Sequence, residues 1–339
     1  MASTKIITDT PGVIRLQQGI TRKVKPAQSG GFKEIPIIDV SGMYSDHLAD
    51  RIKVAGAVRD ACTRVGFMQI RNHGIDWKIV ETAFEGAKRF FDLPMEKKME
   101  VYQHKNRHFH GYEPLYETNL NKLKRGDCKE AFSWGYTPED DPQKVPNMPD
   151  LLIRTSIWPD EETLSGFRGQ MVPYQQALIT FSRKFIRIFA LALHLPEDYF
   201  DKKVTYPMAG VRSLHYPPMT GSDDEETGLG AHTDIEFFTI IAQTPSKYPA
   251  LKVLNAEGEW VSVVPSSECF VVNIADMMMR MTNDTFLSTV HRVENKGDID
   301  RYSLPFFFGV NADELIEVLP TTITDENQKK YEPMTTLEV

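Results

Sequence analysis

Apolar and polar positions show no regular spacing through residues 1–31, which mix Lys, Arg, Thr and Pro and close on the breaker cluster KPAQSGG. Such a stretch reads as a flexible amino-terminal arm, with order expected from Phe32 onward. Two periods then alternate. EIPIIDVS is a β-branched strand, Leu48, Ile52, Ala55, Val58 and Cys62 recur at helical spacing, and FMQIRNHG returns to strand. A second helix is predicted over 76–92, and a third opens at Pro94, whose fixed φ suits a first helical turn. Residues 106–159 are irregular and rich in Tyr, Pro and Asn, with KEAFSWGY as a strand, the character of a loop region lining a substrate entrance. Leu178, Phe181, Phe185, Phe189 and Leu193 then mark one face of a long supporting helix. From Arg212 to Val310 short alternating segments follow one another: VRSLHYP, EFFTIIAQ, LKVLN, WVSVVP, CFVVNI, STVHRV and YSLPFFFGV. Closely spaced strands of this kind predict an antiparallel sandwich or barrel.

Composition narrows the class. The 339 residues, 41% hydrophobic and 25% charged, suit a soluble globular enzyme. The net charge of −8 argues against a protein that tracks nucleic-acid phosphates and leaves small molecules as the expected partners. No apolar run reaches the ~18 residues of a spanning helix, so no membrane partner is expected. Cys62, Cys128 and Cys269 are scattered and form no disulfide framework. A cytoplasmic protein is the expectation.

The chemistry begins with GLGAHTDIEFFTI, residues 228–240. In a strand, residues two apart share a face, so His232 and Asp234 project together from an apolar run. Burying such groups unpaired costs roughly 2–7 kcal/mol for a neutral polar group and more for a carboxylate, so a compensator is required. A plain His–Asp hydrogen bond is one; a metal ion is another. His291, in the strand-like FLSTVHRVEN, supplies a third donor, and two imidazoles with one carboxylate form a facial set that leaves coordination positions open. Fe(II) takes these ligands and so does zinc, so the three residues alone do not choose the metal. In DRYSLPFFF, Arg301 and Ser303 share a strand face, and a guanidinium beside a hydroxyl suits the carboxylate of a keto-acid cosubstrate. A zinc hydrolase is the weaker reading, because no general base such as the Glu of HExxH lies near the donors.

In order and spacing, IPIIDVSG, VGFMQIRNHGI, FFDLPMEKKM, GYEP, HTD, VVNIADMMMRMTND, STVHRV and RYSLPFFF resemble the isopenicillin-N-synthase-like family of Fe(II)- and 2-oxoglutarate-dependent dioxygenases. The resemblance runs from about Glu34 to the last strand. It implies an α+β protein with a double-stranded β-helix, or jelly-roll, core and helices packed around it. It divides the chain into the arm at 1–31, a helical and mixed region with entrance loops at 32–205, and the core with the carboxy-terminal segment at 206–339, the last two forming one structural unit. It implies Fe(II) held by His232, Asp234 and His291, 2-oxoglutarate at Arg301 and Ser303 with a hydrogen bond from Tyr216, and O2 as second cosubstrate. The activity implied is oxidation of a small metabolite in secondary metabolism: hydroxylation, desaturation or ring rearrangement. Two alternatives stand beside it, a non-catalytic binding protein on the same fold and a family oxidase that does not use 2-oxoglutarate. One departure is Leu214, where many plant members carry asparagine two residues before the tyrosine. Asp234 is kept where halogenating relatives carry a small residue, which favours oxidation over halogenation.

Alternation also selects substrate-facing candidates. Phe307 follows Arg301, Ser303 and Pro305 on one face, and Arg212 and Leu214 share a face with Tyr216. Phe307 either stacks on a flat substrate or fills the core; Arg212 either receives a phenolate or carboxylate or pairs with a neighbouring acid. KEAFSWGY turns inward either Ala131 and Ser133 or Phe132 and Trp134. His104, His108 and His110 form a loop cluster for which a second metal is the minor reading.

Overall fold

The computed structural model describes residues 13–15, 21–23, 31–118, 127–143, 155–218, 228–246, 248–294 and 297–336. Within the expected arm, strands β1 (Val13–Arg15) and β2 (Thr21–Lys23) pair antiparallel, and the other residues up to 30 lie outside the described ones. The predicted alternation follows as β3 (Ile37–Asp39), α1 (Leu48–Arg64), β4 (Phe67–Arg71), α2 (Trp77–Phe91) and α3 (Met95–Glu100). Asp76 caps α2, its side chain accepting from the Lys78 amide at 3.0 Å, which satisfies a donor left unpaired at a helix start. Strands β5 (Gly111–Glu113) and β6 (Glu130–Trp134) come next, then the long α4 (Phe167–Ala192). The strand-rich part comprises β7 (Pro207–Tyr216), β8 (Leu229–His232), β9 (Phe238–Gln243), β10 (Leu251–Leu254), β11 (Trp260–Ser262) and β12 (Phe270–Ile274). It closes with α5 (Asp276–Met281), β13 (His291–Val293), β14 (Arg301–Asn311), β15 (Leu315–Ile316) and β16 (Met334–Thr335). Among the described residues no helix is long and apolar enough to cross a membrane.

These elements make an α+β protein built on two antiparallel-rich sheets. The larger has eight strands in the order β3-β4-β12-β9-β14-β7-β6-β5, and the smaller four in the order β11-β10-β13-β8. Among the described strands of this sheet β3 and β4 alone pair in parallel, through the α1 crossover, as parallel neighbours require. The large sheet therefore takes strands from both sides of residue 205.

The two faces of the large sheet see different surroundings. On β14, Tyr302, Leu304, Phe306, Phe308 and Val310 join the core beneath α1, α2 and α4, together with Phe181, Phe185 and Phe189 of the predicted helical stripe. The opposite face meets the small sheet, where Leu214, Tyr216 and Ile241 pack against Leu251, Val253 and Val293. Arg301, Ser303, Pro305 and Phe307 project into this inter-sheet space, as period-two alternation demands. Two further contacts fix the helix layer: the Tyr174 hydroxyl donates to the Leu304 carbonyl at 2.6 Å, and the Gln175 amide donates to the carbonyls of Gly135 and Ala209.

Gly66, at the turn between α1 and β4, holds φ 74°, a conformation that costs an L-residue about 1–2 kcal/mol. A Cβ there would also collide with the Leu287 carbonyl and the Thr289 hydroxyl, in the segment leading to His291. Gly66→Ala is therefore expected to lower unfolding free energy by about 2 kcal/mol or more, read by denaturant titration. A variant as stable as the native protein would show that this turn has room to relax.

Candidate metal centre and adjoining cavity

His232 is the last residue of β8, His291 the first of β13, and the two are direct cross-strand partners. Their rings stand 4.2 Å apart between centroids. Asp234 is not in a strand. β8 ends at His232, and the chain bends so that the Asp276 amide donates to the Asp234 carbonyl at 2.9 Å and the Met277 amide to that of Ile235. The shared strand face expected for the HxD pair is thus replaced by a strand end and a pinned bend, with the same convergence. Asp234 Oδ1 lies 3.6 Å from His232 Nε2 and 3.9 Å from His291 Nε2, and one donor atom from each of the three residues falls within 4.8 Å of the others.

The surrounding groups fix which atoms face inward. His232 Nδ1 donates to the Gly230 carbonyl at 2.8 Å and His291 Nδ1 to that of Thr289 at 3.1 Å, so each Nε2 keeps its lone pair for the centre. Asp234 Oδ2 accepts from Thr239 and, at 2.8 Å, from Asn273 Nδ2, leaving Oδ1 to the histidines. Burial, and then the neighbouring His291, hold His232 well below the ordinary imidazole value. For Asp234 burial acts upward, but His291, His232 and the two hydrogen bonds outweigh it and keep the carboxyl ionised. A neutral His232 imidazole and an ionised Asp234 carboxylate are protonation states that ligation requires.

The centre opens on a cavity of about 260 Å³ between the sheets. Arg301 lines it with its guanidinium 4.8 Å from the centre of the Tyr216 ring. Its Nη2 donates to Gln243 Oε1 at 2.9 Å, while buried Nη1 has no hydrogen-bond partner. Ser303 and Tyr216 line the same end, and Leu214, Leu229, Ile241, Leu251 and Val293 make the intervening wall apolar. Burial pulls Arg301 below the usual guanidinium value and pushes the Tyr216 phenol up, each partly offset by the other. A buried guanidinium with an unpaired prong is costly unless an anion meets it, so this end fits a carboxylate ligand.

Arg212 and Phe307 line this cavity and also a second one, of about 220 Å³, that continues toward Trp134, Tyr136 and Phe109. Arg212 does pair with an acid: its Nη2 bonds Glu113, which Lys129 also bonds at 2.5 Å. Both readings of Arg212 thus have structural support, since the ion pair leaves the guanidinium at the cavity wall. Ala131 and Ser133 are the residues of β6 opposite Leu214 and Arg212, whereas Phe132 and Trp134 pack in the helix-side core. The loop histidines do not converge. His104 bonds Glu117, His108 accepts from Arg107, and His110 contacts Ser156; among the described residues His232, Asp234 and His291 form the only threefold donor group.

Sequence reasoning did not single out Asn273, Thr239, Gln243, Glu113 or Lys129. Asn273 did carry a signal, an amide inside the otherwise apolar FVVNI. Glu113 and Lys129 carried none, because their meeting depends on how β5 and β6 pair. On the opposite face of β7 from Tyr216, His215 lies between two carboxylates, Nδ1 at 2.8 Å from Glu130 and Nε2 at 2.6 Å from Asp300. Both ring nitrogens must donate, which is the imidazolium; burial acts against the charge, and the two acids overcome it and raise the pKa.

Residues 206–310 match the sequence profile of the 2OG-Fe(II) oxygenase superfamily, and residues 35–161 that described as non-haem dioxygenase in morphine synthesis N-terminal. The 2-oxoglutarate-Fe(II) type oxidoreductase ppzC of Metarhizium rileyi is 34% identical over 98% of this chain and 94% of its own. The oxidoreductase of the same type hxnY of Emericella nidulans is 35% identical over 88% and 86%. A full-length Neurospora crassa protein, solved by crystallography in complex with alpha-KG, superposes with a TM-score of 0.80 at 27% identity, covering 93% of this chain and 97% of that one.

Two outcomes follow from the groups around the centre. Asn273→Ala removes one of the two hydrogen bonds to Asp234 Oδ2 and should weaken metal retention about 10–100-fold, measured by Co(II) titration, with Thr239 still holding the carboxylate; unchanged affinity would remove Asn273 from a positioning role. For His215 the folded pKa is raised, so its stabilisation is complete below the ordinary imidazole value and is lost as pH rises through the folded one. The melting-temperature difference between native protein and His215→Gln should therefore shrink as pH rises above the ordinary imidazole value of about 6.5, and a difference that stays constant would show that the ring is not charged.

Proposed function

The chain belongs to the 2-oxoglutarate- and Fe(II)-dependent oxygenase superfamily, uses Fe(II), 2-oxoglutarate and O2, and is an oxidoreductase; within that class we propose how its residues divide the work. His232 Nε2, Asp234 Oδ1 and His291 Nε2 hold the iron, and Arg301 with Ser303 and Tyr216 receives 2-oxoglutarate. The observation that carries this reading is Arg301, a buried guanidinium with no carboxylate bonded to it among the described residues and one prong unsatisfied, inside the cavity that the three metal donors face. A dicarboxylate whose keto-acid end reaches the donors supplies the missing anion.

Bound iron, with 2-oxoglutarate and O2, supplies the oxidation of a C–H bond, releasing succinate and CO2. The protein's part is placement and exclusion. Gly230 and Thr289 carbonyls orient the two imidazoles, and Thr239 and Asn273 hold Asp234 so that one oxygen faces the site. Gln243 fixes one edge of the Arg301 guanidinium, which turns the other toward the cosubstrate. The apolar side chains between Leu214 and Val293 keep bulk water from the reacting atoms. Phe307, Arg212 and Leu214 face the remaining space and are the substrate-side residues.

The substrate is a small organic metabolite. Relatives bear on this by what they are described as handling: a clavatol oxidase of Penicillium crustosum at 32% identity, and the same Neurospora crassa protein solved in complex with alpha-KG and thymine. The two facing sheets support the jelly-roll reading of the core, and the eight-stranded sheet, shared by both sides of residue 205, supports treating 32–205 and 206–339 as one structural unit. Cys62, Cys128 and Cys269 are free thiols, which suits a cytoplasmic protein.

Succinate release by the purified protein with Fe(II) tests this assignment. It should depend on 2-oxoglutarate, and Arg301→Lys, which keeps charge but loses the fork, should raise the 2-oxoglutarate concentration at half-maximal rate about tenfold or more. A native-like concentration dependence in that variant would place the cosubstrate elsewhere.

A further inference from the structure

The cavity-side residues of β7, read from Tyr216 through Leu214 and Arg212 to Gly210, run from the proposed cosubstrate end into the second cavity. Gly210 keeps that path open. A Cβ there would meet only the Trp134 carbonyl, at 3.5 Å, so space that a side chain could fill is left to a ligand. Phe307 pairs directly across from Gly210, and Arg212, Phe307 and Glu236 line both cavities at the neck between them.

The charged groups at this neck differ in how far they reach the cavity. Lys129 and Arg212 bond the same carboxylate, Glu113, whose side chain is only 2% exposed, whereas that of Arg212 is 32% exposed. The acid is sealed behind the wall and the guanidinium faces the space in front of it. Arg212 Nε is buried without a hydrogen-bond partner, and its neighbour on the same strand face is apolar Leu214. The next acid behind the wall, Asp127, is turned to the Gly230 amide, which donates to it at 2.9 Å. Glu236 stands at the neck as well and accounts for one further negative charge there. A guanidinium bonded at Nη2 to a shared carboxylate, with buried Nε unpartnered beside apolar Leu214, is satisfied by a further acceptor in the cavity, and a carboxylate matches it best.

We propose that the substrate is an organic acid whose carboxylate is received by Arg212 at the neck, with Lys129 and Glu113 holding that guanidinium in place and the body of the acid occupying the second cavity. This rests on the iron and cosubstrate assignment above. It names the substrate class for the same site: monocarboxylates with an apolar, flat or elongated body, in preference to their neutral amides.

The test uses the full chain, anaerobic, with Fe(II) and saturating 2-oxoglutarate, whose complex is followed by its visible absorption band. Phenylacetate, 2-naphthoate and 4-phenylbutyrate are titrated against the corresponding amides. At least one acid should perturb the band without abolishing it and bind about tenfold or more tightly than its amide. Arg212→Lys, which retains a cation for Glu113, should reduce that preference, and Arg212→Gln should remove it, with 2-oxoglutarate affinity unchanged in both. Equal binding of acids and amides, no binding by any acid, or acids that displace 2-oxoglutarate and so sit at Arg301, would overturn the proposal while the band itself stays normal. Absence of the band in the native protein would instead sink the iron and cosubstrate assignment, and this inference with it.

Discussion

The alternation of β7 and β14, neighbours at the centre of the large sheet, is the constraint on which the site depends. Each strand gives one row of side chains to the helix layer and the other to the space between sheets. Because the period is two, one register fixes both rows at once: Tyr302, Leu304, Phe306 and Phe308 cannot enter the core under α4 unless Arg301, Ser303 and Phe307 face the cavity. Burial of the aromatic row supplies the free energy that holds polar groups in an otherwise apolar interior. Slipping β14 by one residue would place Arg301 among phenylalanines, so the folding free energy itself enforces the arrangement of the site.

A second theme is that the buried charges sit in sets, each balanced in a different way. Lys129 and Arg212 share Glu113, and His215 sits between Glu130 and Asp300. The His215 set is satisfied from within the protein, whereas Arg212 keeps a buried Nε without a hydrogen-bond partner. His232, Asp234 and His291 have their outer atoms hydrogen-bonded and their inner atoms left facing one another, and Arg301 has one prong bonded and one not. Polar groups satisfied on the protein side and unsatisfied on the cavity side distinguish a binding site from a structural network.

Much of this was legible in the sequence wherever a feature is local. The Phe181, Phe185 and Phe189 stripe, the helix over 76–92 and the alternation of β14 each depend on residues within a few positions of one another. The candidate metal donors were legible because two of three stand in one tripeptide, although the chain reaches that geometry by ending β8 at His232 rather than by extending it through Asp234. What was not legible is lateral. Nothing in EIPIIDVS or FMQIRNHG says that β3 and β4 extend the same sheet that carries Arg301, and nothing local brings Glu113 beside Lys129 and Arg212. Strand order and the side chains that meet across it are set by tertiary pairing, which residue patterns within one segment do not encode.

The position of β14 in the large sheet also bears on the order in which this chain is made. β9 and β7 are each paired along one side of β14, and β14 lies at residues 301–311 of 339. During synthesis from the amino terminus, every other strand of the large sheet emerges before the one that joins its two halves. Until then β7 and β9 each present an unpaired edge flanked by large apolar side chains, the type of surface that recruits strands from other chains. Release of a chain cut short before residue 301 would leave both edges permanently open, so truncation late in this sequence turns the centre of the sheet into an aggregation surface even though most of the helical core is already encoded.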